Sequence, residues 1–78
     1  MNAIAHTEES MKTARAAAYR NLVITKSNLV YAQTSYNDAL NRSIKTGLEF
    51  GLRQASDVQE WAFREWSDAK AIYQQLIN

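Results

Sequence analysis

Small residues recur at every seventh position of this chain, in two rows that run outward from Gly47. Upstream the row is Ala39, Ala32, Thr25 and Ala18; downstream it is Ala55, Ala62, Ala69 and Leu76. Each member of one row has a counterpart at the same sequence distance on the other side of Gly47. Seven-residue spacing is the repeat of helices that pack along a narrow seam, and two rows placed symmetrically about a glycine suit an antiparallel helical hairpin folded there. Larger residues fill the seam between the small ones. Steps of four and three give Ala18, Leu22, Thr25, Leu29, Ala32, Tyr36, Ala39 upstream, with Met11 one heptad earlier. Steps of three and four give Ala55, Val58, Ala62, Glu65, Ala69, Ile72, Leu76 downstream. Alternating small and large residues brings two helix backbones to the close end of the usual range, about 8–10 Å.

The pattern predicts an all-α chain. Residues 1–6 read as a frayed lead and Thr7 as an N-cap, with Glu8 and Glu9 placed where negative charge favours a helix start. Helix 1 is expected over about 7–46, with Lys45 in its last turn and the turn itself at Gly47. Helix 2 is expected over about 50–77. Its start has two candidates, Leu48 and the segment Ser56-Asp-Val-Gln59, which has capping-box spacing. Folding at Gly47 sets Ala39 against Ala55, Ala32 against Ala62, Thr25 against Ala69, and Leu29 near Glu65. The alternative fold is a three-helix bundle, broken at Thr25–Asn28 and Asn41–Ser43, where Ser, Thr and Asn compete for backbone hydrogen bonds.

Two features exceed what one hairpin can bury. Leu22-Val23-Ile24 and Leu29-Val30-Tyr31 are apolar at three consecutive positions, so they carry apolar surface beyond the seam. Helix 1 up to about residue 17 has no counterpart in helix 2. Two hairpins docked as a homodimeric four-helix bundle account for both. Length argues the same way: a single helical domain of 78 residues rarely supplies more than about 3–5 kcal/mol from its own core, and the absence of cysteine removes a disulfide or thiolate-metal framework.

Glu65 is the one charge at a predicted seam position. Such a residue can fix register or oligomeric state if it is paired, and Arg15 or Lys26, flanking the helix 1 seam, is its expected partner in the same or a neighbouring subunit. The competing reading puts Glu65 at the rim, reaching water. Tyr19, Val23, Val30, Tyr31, Trp61, Phe63 and Trp66 are the candidate protein-interaction residues, the two valines from the apolar runs outside the seam and the rest because aromatic side chains are enriched at interfaces. For Trp66, nearest the seam, a core role competes.

Charge changes the picture little. The net value is +1, with six basic and three acidic residues in 1–46 against three and five in 47–78. In a hairpin these halves lie side by side, which argues for charge matching within and between subunits. Lys12, Arg15, Arg20 and Lys26 spread over more than a third of the helix circumference without interleaved stacking residues, so nucleic-acid binding stands as the third reading. His6 is the sole histidine, and no glycine-rich phosphate loop occurs, so no enzyme, cofactor or metal site is expected. There is neither a signal-peptide pattern nor an apolar run long enough to span a bilayer; the expected location is the cytoplasm. Asn41-Arg42-Ser43 matches the glycosylation acceptor pattern by chance on this reading.

The leading functional expectation is a non-enzymatic interaction protein that self-associates and binds a larger protein partner as regulator, inhibitor or adaptor. A second expectation comes from Leu48-Glu-Phe-Gly-Leu-Arg-Gln-Ala-Ser-Asp-Val-Gln-Glu60, which resembles the segment leading into the last helix of granule-associated phasins, without the proline common there. The resemblance implies an amphipathic coat on lipid or polymer granules, and no functional residue is carried across on it.

Overall fold

Helix α1 runs from Ala3 to Thr46 and helix α2 from Leu52 to Ile77, the two packed against each other as an antiparallel hairpin. The structure, a computed structural model, describes residues 3–49 and 51–78, with side chains described from residue 9 onward. With 44 and 26 residues, the helices are about 66 and 39 Å long at roughly 1.5 Å per residue. The molecule is therefore a rod of 69 × 16 × 13 Å. Its radius of gyration of 18.6 Å far exceeds the value of about 11.5 Å for a compact chain of this length.

Helix α1 starts four residues before the expected position. Alanine is the strongest helix former, and Ala3-Ile4-Ala5 contains nothing that breaks a helix, so residue 7 lies inside α1 and not at its cap. The side chains of His6, Thr7 and Glu8 lie outside the described residues. Nor does α1 break at 25–28 or 41–43, which removes the three-helix alternative. The hydroxyl groups find partners one turn back without disturbing the helical ladder: Thr25 Oγ1 donates to the carbonyl oxygens of Asn21 at 2.8 Å and Leu22 at 3.0 Å. Thr34 and Thr46 do the same toward Val30 and Arg42. Thr25 can thus be buried as a small, internally satisfied member of the seam.

Both glycines shape the turn. Gly47, at φ 71°, ends α1 in the left-handed conformation and donates its N–H to the Ser43 carbonyl at 2.8 Å, a left-handed helix cap. Gly51, at φ 78° and ψ −10°, is also left-handed, and next to it Leu52 N–H donates to Glu49 O at 3.1 Å. The Gly51 carbonyl then accepts the Ala55 N–H at 3.0 Å and opens α2. Helix α2 therefore starts at neither Leu48 nor Ser56. The approximate start at 50 falls on Phe50, which lies outside the described residues.

The seam follows the expected register in α1 but not in α2. Thr25, Leu29, Ala32 and Ala39 are buried on α1, and Ala62 and Ala69 on α2; Leu29, Ala32 and Ala62 form the central cluster, with Trp66 packed on it. The intermediate positions of α2 are Gln59, Trp66 and Tyr73, not Val58, Glu65 and Ile72. Val58 and Ile72 are 48% and 51% exposed, and Glu65 is exposed. Positions three and four beyond each alanine are alternative neighbours on the helix surface. Choosing the fourth buries two aromatic rings and spares a carboxylate the cost of leaving water. Trp66 packs on the cluster of Leu29, Ala32 and Ala62 as a result.

Candidate interaction surface

With the seam set, every other residue falls on one of two flanks or on the outer backs of the helices. Antiparallel packing places like heptad positions of α1 and α2 on the same side, and two grooves between the helices show which residues share a flank. The first groove, ≈ 380 Å³, is lined by Tyr19, Val23 and Lys26 from α1 and by Trp66 and Lys70 from α2. The second, ≈ 280 Å³, is lined by Tyr31 and Ser35 from α1 and by Gln54 and Val58 from α2.

Seven-residue steps extend each set. Val30 follows Val23 and Phe63 precedes Lys70 on the first flank. On the second, Ile24 precedes Tyr31, Trp61 follows Gln54, Asp68 follows Trp61, and Glu65 and Ile72 follow Val58. The first flank is knit by aromatic contacts: Tyr19 and Tyr73 rings lie 5.7 Å apart and Phe63 and Trp66 5.9 Å apart. The Nζ atoms of Lys26 and Lys70 each sit 5.1 Å from the Trp66 ring centroid, a cation–π arrangement from both helices onto one indole.

Of the seven candidate interaction residues, Tyr19, Val23, Val30, Phe63 and Trp66 gather on the first flank, and Tyr31 and Trp61 on the second. All are exposed except Trp66, which is half-buried, and Tyr31 reaches 77%. Sequence reasoning missed Val58 and Ile72 as surface residues by assigning them to the seam; Ile24 was read as surface in the run Leu22-Val23-Ile24 but left out of the interaction set, though its spacing of seven from Tyr31 marks it. The expected pairing of Glu65 with Arg15 or Lys26 is not made within the chain. Lys26 lies over Trp66, and the single ion pair among the described residues joins Arg64 to Glu60 at 2.7 Å on exposed surface. Because the α2 seam runs through Trp66, Glu65 is exposed on the surface of the hairpin and not buried within it.

The hairpin exposes 6369 Å², against about 4,800 Å² for a compact monomer of its mass. The excess is about twice the roughly 800 Å² that each partner buries in a standard interface. Among the described residues no three His, Cys, Asp or Glu side chains group as metal ligands, and no helix is long and apolar enough to cross a membrane. No family model, curated protein or solved structure matches the chain.

Proposed function

We propose that this chain is a non-enzymatic helical interaction protein whose hairpins associate through their apolar flanks into a four-helix bundle. The assembled bundle then offers its remaining surface to a larger protein partner, as regulator, inhibitor or adaptor. One observation carries this reading: the seam holds mostly small residues, while Tyr19, Tyr31, Trp61, Phe63, Val23 and Val30 face outward. Fully covering an aliphatic or aromatic side chain of this size is favourable by roughly 1.5–3 kcal/mol, so association has more to gain on the flanks than the alanine-rich seam has used. A coat on a lipid or polymer surface needs one apolar side and one polar side. Apolar residues on both flanks favour association instead.

Light scattering of the purified chain together with binding of a dye that reports exposed apolar surface tests this reading. The expected result is a mass above one chain at micromolar concentration. A monomer of 8.9 kDa that binds no dye contradicts it.

A further inference from the structure

At the height of Trp66 the two flanks carry opposite charge. On the first, Lys26 and Lys70 bracket the indole, each 5.1 Å from its centroid, and neither has an ion-pair partner among the described residues. On the second, Glu65 and Asp68 stand in the turn of α2 that also contains Trp66, and they too lack an ion-pair partner there. Nearer the loop the second flank changes character, since Asp38 shares its surface with the two cations Arg42 and Lys45. At the height of Trp66 the rod thus carries two cations on one side and two carboxylates on the other. Each pair is set among apolar residues: Tyr19, Val23 and Phe63 on the cationic side, Ile24, Trp61 and Ile72 on the acidic side.

From this complementarity we infer that the partner on each flank is a second copy of this chain, and that copies associate through unlike flanks, the Lys26/Lys70 side of one against the Glu65/Asp68 side of the next. The inference rests on the self-association proposed above and specifies its geometry. A two-fold pairing of either flank with itself about an axis at this height brings like charges together, which disfavours it, whereas unlike flanks match both charge and apolar surface there. Pairing of this kind leaves one flank of each sort free, so the two-hairpin bundle is the first step of a row or a closed ring.

Charge exchange tests this with the full chain. Lys26→Glu/Lys70→Glu makes both flanks acidic, and Glu65→Lys/Asp68→Lys makes both basic. Each double variant alone is expected to associate at least about tenfold more weakly than wild type, from like-charge contact, and an equimolar mixture is expected to regain association to within about threefold. Recovery on mixing keeps the test informative even if a variant unfolds when isolated. If either double variant associates as wild type does, or the mixture fails to recover, the unlike-flank geometry is overturned while self-association stands. A wild-type chain that stays monomeric overturns both.

Discussion

The seam and the flanks of this hairpin use the helix surface in opposite ways. Along the seam, Ala32, Ala39, Ala62 and Ala69 let the backbones come close, and Leu29 and Trp66 provide the main bulk. On the flanks the proportions reverse, with tyrosine, tryptophan, phenylalanine and valine outward and alanine scarce. The internal contact is close but buries little apolar area, since an alanine contributes one methyl group. It defines a register more than it supplies stability. In the assembly proposed above the rest of the stability comes from a neighbour, as in helical hairpins whose two layers form one core.

Substitutions that treat the two regions alike can break this contrast. Leu29→Ala, at the centre of the seam, is expected to cost about 3 kcal/mol in denaturant unfolding, enough to melt most of a small helical chain. Ala62→Leu, at a position 2% exposed, should cost about 2 kcal/mol by forcing the helices apart, whereas Val58→Leu one turn earlier should change stability by less than about 0.5 kcal/mol. If Val58→Leu proves as harmful as Ala62→Leu, the phase assigned to α2 is wrong. Gly47→Ala and Gly51→Ala should each cost about 1 kcal/mol through positive φ alone, because nothing stands within 4 Å of an added Cβ at either site. Tyr31→Ser should be smallest in its effect on the isolated hairpin, under about 0.5 kcal/mol, but it should make the melting temperature less dependent on protein concentration.

Most of the architecture was legible because the alanine rows are symmetric about Gly47 and no proline interrupts them. The phase of α2 was not, because the sequence offers two adjacent stripes: Val58, Glu65 and Ile72, or Gln59, Trp66 and Tyr73. Each has one polar and two apolar members, so periodicity ties, and packing of the larger rings decides, Trp66 on the Leu29, Ala32 and Ala62 cluster and Tyr73 beside Tyr19. Gly51 was passed over since its role depends on a turn geometry that residue type only permits. Thr7 misled because a capping preference of about 1 kcal/mol operates only where the preceding residues leave the helix, and Ala3-Ile4-Ala5 do not. The flank residues were found from aromatic character and, for Val23 and Val30, from the apolar runs that exceed the seam. That the lysines and carboxylates divide between opposite flanks became visible only once the α2 phase was known.

Sedimentation equilibrium of the wild-type chain beside Val23→Glu/Tyr31→Glu, with helix content followed by circular dichroism, tests the division of labour most directly. The wild type is expected to show multiples of 8.9 kDa that rise with concentration, and the double variant, charged on both flanks with its seam intact, to remain helical at 8.9 kDa. Equal masses for the two proteins at every concentration would contradict the assignment of assembly to the flanks.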